Sequence, residues 1–417
     1  MDEGDERSVV VLAHPSPDLY GSDRMLVESV RALAAEHRVV VTLPADGPLS
    51  EPLREAGAEV VVLPVPVLRK AYMSPTGVLR LAAASVRALP RAVRLLRRER
   101  AAALYVNTVT IPLWLAAARL ARVRALCHVH EAEEGVPRPV RAALAMPLRL
   151  ARSVVVNSRA SAAALGPVGR RARIIYNGVA EPDPAEVTEP RPVLDGTVRV
   201  TLVGRLSPRK GSDVAVRAVR LLRERGRDVT LTLVGNVFPG YEWFEEELRA
   251  LAGDDGTVEF AGFRPSVWDS FAAADVAVVP SRVEPFGNVA VEAMLAGRPL
   301  VASATQGLTE IVSDGDNGVL VPPDDPQALA DGIARLLDDW DGALAMAKRA
   351  RADAAHRFGE ERYHRELRAA VRALISPGSA AAAASTSEPA SGPASGPASG
   401  PTSDVSPSVP TRTQSSR

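Results

Sequence analysis

Short runs of aliphatic and β-branched residues recur along the chain, separated by stretches in which apolar positions return every three or four residues. Residues 9–13, 39–43, 60–63, 104–107, 126–129 and 154–157 form a first series of such runs. Nearly continuous apolar segments suit strands buried on both faces, as in a parallel sheet. Helical periodicity fills the gaps, for example over 24–36. A second series follows at 198–203, 229–234, 258–260, 276–279, 300–302 and 319–321. Within it, 213–225 places Val214, Ala218, Leu221 and Leu222 on one helical face. The alternation predicts an α/β fold made of two βα domains of similar size.

The first domain is expected over 1–180 and the second over 198–375, joined by a linker at 181–197 that opens rich in Pro and Glu. Residues 326–375 read as helical, with the last helix packing back towards the first domain. From 376 to 417 the chain repeats Ser, Gly, Pro and Ala. That tail lacks the apolar content to offset ordering entropy and is expected to be disordered. Open α/β sheets bind ligands at the carboxyl ends of their strands. Two such sheets facing each other would enclose a deep cleft.

Composition sharpens this only in places. Aromatic residues make up 4% of a chain that is 46% hydrophobic, so Ala, Val and Leu must fill the cores. Lys plus Arg and Asp plus Glu both number 50, so no excess charge points to nucleic acid. The single cysteine, Cys127, gives no disulfide framework and fits a reducing cytosol. The acidic N-terminus before a short apolar run lacks the basic region of a secretory signal. The charge-free stretch 101–118 contains Asn107, Thr108, Thr110 and Pro112, so it reads as strand, turn and helix start rather than a membrane span.

The chemistry concentrates in four segments. Residues 279–297 run from a strand end through Glu284-Pro-Phe-Gly287 into a helix that carries Glu292. The amides of Gly287, Asn288 and Val289 there form a helix N-terminus, which suits phosphate through free N–H groups and the helix dipole. Residues 203–212, VGRLSPRKGS, place Arg205 and Lys210 between another strand end and a helix start, a setting for a diphosphate. Gly21 follows the first strand in the segment 17–23, where a glycine lets the backbone approach a phosphate. His128 and His130 end a strand and, by alternation, share a face.

Glu284 and Glu292, separated by seven residues, resemble the Glu-(x)7-Glu signature of glycosyltransferase family 4, which has the GT-B fold. VGRLSPRKGS resembles that family's G-R-(x)4-K-G loop, and Tyr20 stands where the family commonly has a second glycine. The resemblance covers nearly all of 8–375. It implies a retaining, metal-independent transferase that takes a UDP- or GDP-sugar as donor and needs no cofactor. It implies that Arg205 and Lys210 hold the diphosphate and Glu292 the ribose. Glu284, with Phe286, Gly287 and Asn288, would hold the sugar, and Gly21 and His130 would complete the site, with Glu284 and His130 as the catalytic pair. Polysaccharide or glycolipid synthesis is the expected setting, on a sugar or lipid-linked acceptor.

Other chemistries lack their motifs. Asp314-Gly315-Asp316 is a DxD tripeptide, yet its setting, DGDNG, is dense in turn formers. The six His and one Cys show no zinc spacing. No GxSxG elbow and no GxGxxG after the first strand are present. A nucleotide-sugar epimerase and a scaffold without turnover remain the competing classes. The first lacks the EPFG…Glu arrangement, and the second has no need of Arg205, Lys210, Glu284 and Glu292.

Over 79–100, Arg80, Arg87, Arg91, Arg94 and Arg98 share one helical face, and Ala82, Val86, Leu89, Val93 and Leu96 share the other. Pro90 is expected to kink this segment or start a second helix. The basic face suits either solvent or anionic lipid, so the chain is expected in the cytoplasm, with peripheral docking at the inner face of the membrane.

Overall fold

The computed structural model describes residues 7–18, 21–68, 75–132, 138–186 and 188–376. The tail beyond Ser376, expected to be disordered, lies outside the described residues.

Seven parallel strands form the first sheet, namely β1 (Val9–Ala13), β2 (Arg38–Leu43), β3 (Ala58–Val62), β4 (Ala103–Val106), β5 (Arg124–Val129), β6 (Ser153–Val156) and β7 (Arg173–Ile174). Their spatial order is β3-β2-β1-β4-β5-β6-β7. The connecting helices are α1 (Gly21–Ala34), α2 (Ser50–Glu55), α3 (Pro75–Arg98), α4 (Leu113–Ala121), α5 (Arg138–Ala145) and α6 (Arg159–Ala164). The second sheet contains β8 (Val198–Val203), β9 (Val229–Val234), β10 (Val258–Gly262), β11 (Val276–Val279), β12 (Leu300–Ser303) and β13 (Val319–Val321). It is ordered β10-β9-β8-β11-β12-β13. Its helices are α7 (Ser212–Glu224), α8 (Glu242–Ala252), α9 (Trp268–Ala272), α10 (Asn288–Leu295), α11 (Leu308–Ile311), α12 (Pro326–Asp338), α13 (Trp340–Phe358) and α14 (Glu360–Ile375).

Each sheet is covered on both faces, which explains why its strands read as unbroken apolar runs. Val10, Leu12, Val39 and Val41 face one core of the first sheet, and Val11, Ala13, Val40 and Leu104 face the other. Helix α13 sends Ala350, Ala354 and Phe358 into the second domain. After Gly359 the chain crosses over, and α14 buries Tyr363, Leu367, Val371 and Leu374 against the first. Ion pairs from Arg368 and Arg372 to Glu36, and a hydrogen bond between His364 and Glu28, hold that last helix in place. Strand order reverses direction between β1 and β4 in one sheet and between β8 and β11 in the other. Such switch points open a crevice at the carboxyl edge.

Helix α3 differs from expectation in two ways. It runs through Pro90 as one helix of 24 residues. Its buried strip is Ala88, Ala92, Leu95 and Leu96, while Val86 stands 72% exposed. The expected apolar face meets the core in the C-terminal half of the helix, where Leu89, Ala92, Val93, Leu95 and Leu96 join the core between the sheet and α4. No helix among the described residues is long and apolar enough to cross a membrane.

Candidate active site

At the second switch point, two neighbouring strands deliver opposite charges to one place. After β8 the chain makes a 3-10 turn over Pro208–Lys210, then turns at Gly211 with φ of 71° into α7. A Cβ on Gly211 would sit 2.0 Å from the Pro280 carbonyl oxygen at the end of β11, so only glycine lets the two loops touch. Arg282 fastens them further. It donates twice to the Asp213 carboxylate, at 2.8 Å each, and once to the Pro208 carbonyl at 2.5 Å. The result brings Lys210 Nζ onto Glu284 Oε2 as a hydrogen-bonded ion pair. Ser281 Oγ adds a donation to the same oxygen at 3.3 Å. The two groups assigned to diphosphate and sugar thus hold one another, and a ligand phosphate has to compete for the ammonium group.

Arg205, one residue past Gly204, lies over the Phe238 ring with its guanidinium carbon 3.3 Å from the centroid. Gly287 adopts φ of 120° and starts α10 without a side-chain cap. A Cβ there would meet Leu308 Cδ2 at 2.6 Å. Glu292 lies one turn into α10. Burial raises its pKa, against the opposing pull of Arg24 from the first domain and of Lys210. Asn288 Oδ1 accepts from Asn177 Nδ2 at 2.8 Å, which ties α10 to the segment leaving the first domain. Phe286 departs from its expected place at the donor. Its ring is 2% exposed and packs on Tyr176 and Phe358, at centroid distances of 6.0 and 5.6 Å. The side chain anchors the loop by burial, about 1.5–3 kcal/mol, and leaves only its backbone to the ligand.

The first switch point carries a different arrangement. His14 follows β1, Asn107 follows β4 and His130 follows β5. His14 Nε2 donates to Asp23 Oδ1 at 2.8 Å. Asn107 Nδ2 then donates to His14 Nδ1 at 3.0 Å. Asn107 Oδ1 accepts from His130 Nε2 at 2.8 Å. This chain fixes the His130 tautomer and leaves its Nδ1 as an acceptor, buried and without a hydrogen-bond partner among the described residues. Burial, with His14 nearby, pushes the His130 pKa down to about 3, so the imidazole is neutral near pH 7. His128 is fully buried beneath it, with ring centroids 4.1 Å apart and Nδ1 bonded to Tyr105 Oη at 2.6 Å. Of the two histidines, His130 is the one at the outer end. Gly21 is the first residue of α1, while Leu19 and Tyr20 lie outside the described residues.

The two switch points face each other. Arg24 donates to the Pro265 carbonyl at 3.0 Å, and Gln306 Nε2 to the Ala132 carbonyl at 3.0 Å. Glu310 accepts from the backbone N–H groups of Arg159 and Ala160 at 2.9 Å each. All three contacts join segments that follow strand carboxyl ends, so the walls of one cleft are defined. The Asp314-Gly315-Asp316 turn points elsewhere, with its carboxylates paired to Arg335 and Arg349.

Reading the sequence missed His14, Asp23, Asn107, Arg282 and Gln306. Each is an ordinary polar residue at a strand end or helix start. Asp23, at the end of 17–23, and Arg282, two positions before Glu284, stand inside segments that the residue pattern marks.

Comparison with known proteins agrees with this architecture. Residues 20–181 match the family described as Glycosyltransferase Family 4, and residues 197–339 match Glycosyl transferases group 1. HepE of Anabaena, solved with UDP and glucose, is 25% identical with a TM-score of 0.72, over 87% of this chain and 98% of that one. Sucrose-phosphate synthase of Thermosynechococcus elongatus, at 23% identity and a TM-score of 0.70, shares the fold over 88% of this chain and 99% of its own. The chain belongs to the family 4 glycosyltransferases of the GT-B fold. A D-inositol 3-phosphate glycosyltransferase of Acidothermus cellulolyticus is 42% identical over 154 residues, 35% of this chain and 34% of the relative. The match spans about a third to just over two fifths of the curated relatives' length, with 34% and 44% for the first two.

Proposed function

We propose that this chain transfers a sugar from a nucleotide-sugar, a UDP- or GDP-sugar, to an acceptor hydroxyl, keeping the anomeric configuration and using no metal. The observation that carries this reading is the meeting of Lys210 with Glu284 at the β8–β11 switch point, flanked by Arg205, Glu292 and the α10 N-terminus. HepE, whose structure contains UDP-glucose, supports a nucleotide-sugar as ligand. In this reading Arg205 and Lys210 meet the charge that develops on the departing diphosphate, the term electrostatic catalysis acts on. Two side-chain cations do there what a divalent ion would do. Glu292 takes the ribose, Glu284 and the Gly287–Asn288 backbone take the sugar, and Gly21 adds a backbone contact from the first domain. His130, neutral and oriented through Asn107, meets a sugar hydroxyl.

Calorimetric titration with UDP, GDP, ADP and dTDP tests the donor site, beside a Lys210→Ala variant. One nucleotide should bind, and bind more weakly to the variant. Failure of all four at millimolar concentration would rule the reading out. NMR of the first product formed decides retention against inversion.

The acceptor we infer is a sugar or a lipid-linked sugar used in polysaccharide or glycolipid assembly. A surface feature supports the lipid-linked case. Of the eleven large apolar side chains exposed among the described residues, six stand on α3, α4, α5 and the turn after it. They are Leu79, Val86, Leu120, Leu144, Met146 and Leu150, and Arg87, Arg91, Arg94 and Arg149 are exposed among them. Apolar groups clustered with cations fit an anionic bilayer surface better than solvent alone.

A further inference from the structure

The segment after β12 carries a residue that neither the family motifs nor the charge pattern marks. Gln306 has φ of 40°, left-handed backbone that side chains other than Gly, Asn and Asp seldom adopt. Such a conformation is costly and persists only where surroundings hold it. Its side chain is engaged at both ends. Oε1 accepts from the backbone N–H of Glu284 at 3.0 Å. Nε2 donates to the carbonyl of Ala132, two residues beyond His130, at 3.0 Å. One primary amide therefore links the loop that presents Glu284 in the second domain to the strand end that presents His130 in the first.

The neighbours brace this bridge. Gly307 N–H returns to the Glu284 carbonyl at 3.0 Å, so residues 306–307 pair with the backbone of Glu284 on both its polar groups. Thr309 Oγ1 donates to the Gln306 carbonyl at 2.8 Å. One turn on, Glu310 accepts the N–H groups of Arg159 and Ala160 and the Tyr176 hydroxyl, a second crossing from the short helix that follows Gln306.

We propose that Gln306 is a positioning residue that couples the two halves of the site, setting His130 relative to Glu284 when the domains meet. The amide suits this task because it offers an acceptor and a donor on one planar group. A carboxylate keeps the first contact and loses the second. The inference rests on the transferase reading above for its catalytic consequence, but the bridge itself can be measured without turnover.

The test uses the full chain with Gln306→Ala, Gln306→Glu and Gln306→Gly. Hydrogen exchange is read at the Glu284 amide and over 128–132. Gln306→Ala should speed exchange at both places by about tenfold. Gln306→Glu should loosen 128–132 and leave the Glu284 amide protected. Gln306→Gly relieves the backbone strain, so it should fold at least as stably as Gln306→Ala and still lose protection at both places. In transfer assays, Gln306→Ala and Gln306→Glu should lower kcat by about tenfold with donor KM little changed, the signature of misplacement rather than lost binding. If exchange in the variants changes only at Glu284, Gln306 is a local loop staple and the coupling is wrong. An unchanged kcat overturns it equally. A wild-type chain inert towards every nucleotide-sugar sinks the transferase reading instead, while exchange still decides the bridge.

Discussion

The two switch points solve opposite problems with the same topology. In the first domain the polar groups at the carboxyl edge bond mainly to each other, from Asp23 through His14 and Asn107 to His130. His130 is neutral there and its direction is set. In the second domain Lys210 and Glu284 are paired charges at the cleft, and burial raises the pKa of Glu292 beside them. A hydrogen-bonded network anchored on one carboxylate stores orientation, since each bond removes a rotamer choice. A cluster of charges stores binding energy, since a polyanion can exchange for the internal partner. The difference suggests that the first half directs and the second half holds.

The sharpest break of this comparison is Lys210→Ala. Transfer should fall by about 10²–10³-fold, the scale for one preorganised electrostatic group. It also strands Glu284, which is 7% exposed, and loss of one partner from a buried pair costs up to about 3–5 kcal/mol. Thermal melts should then show Lys210→Met with Glu284→Gln more stable than Lys210→Ala, while transfer stays lost. If Lys210→Ala melts like the wild type, the pair does not hold the two loops together.

Asn107→Ala probes the directing half. It breaks the link between His14 and His130 but keeps His130 itself, so kcat should fall by about tenfold to a hundredfold, less than the roughly 10²–10⁴-fold that a whole general acid–base group contributes. Nucleotide affinity by calorimetry should stay level. A parallel fall in affinity would mean that the two halves are not separable.

Protonation offers a third test. His130 has a pKa lowered to about 3 in the fold. The unfolded chain binds that proton near the ordinary histidine value of about 6.5, so the contribution of neutral His130 to stability is full above that pH. It is lost progressively as pH falls from about 6.5 towards 3. His130→Asn should therefore flatten the acid side of a stability–pH curve. Glu292 has the opposite sense, since burial raises its pKa. Its penalty is absent in acid, grows as pH rises above the ordinary carboxylate value, where the unfolded chain ionises first, and levels off once the buried carboxyl ionises too. Glu292→Gln should leave Tm unchanged at low pH and raise it near neutrality, while weakening nucleotide binding.

The smallest effect lies outside the cleft. Arg91→Glu with Arg94→Glu should release the protein from anionic vesicles, at about 1 kcal/mol per cation near the surface. Transfer to a soluble acceptor should be unaffected. Unchanged sedimentation with vesicles would leave α3 as an ordinary solvated helix.

Much of this is legible in the sequence. Buried parallel strands require unbroken apolar runs, so Val39, Val40 and Val41 announce their element by composition alone. Gly211 and Gly287 mark loops where only a missing Cβ permits the approach, and both fell inside segments recognised from their residue order. Val86 and Phe286 show where periodicity stops. The helical pattern finds a face but not its partner, so Val86 looked buried and is exposed, and Phe286 looked exposed to ligand and is core.

The sequence by itself determined the two-domain α/β class, the strand ends that carry charge and the family. Those follow from local periodicity and from residues a few positions apart. Only the tertiary structure decided that Lys210 meets Glu284, 74 residues away, and that Gln306 reaches Ala132 across 174. Contacts at such separation depend on strand order and domain approach. They involve common polar residues whose chemistry becomes specific only when their partners are in place.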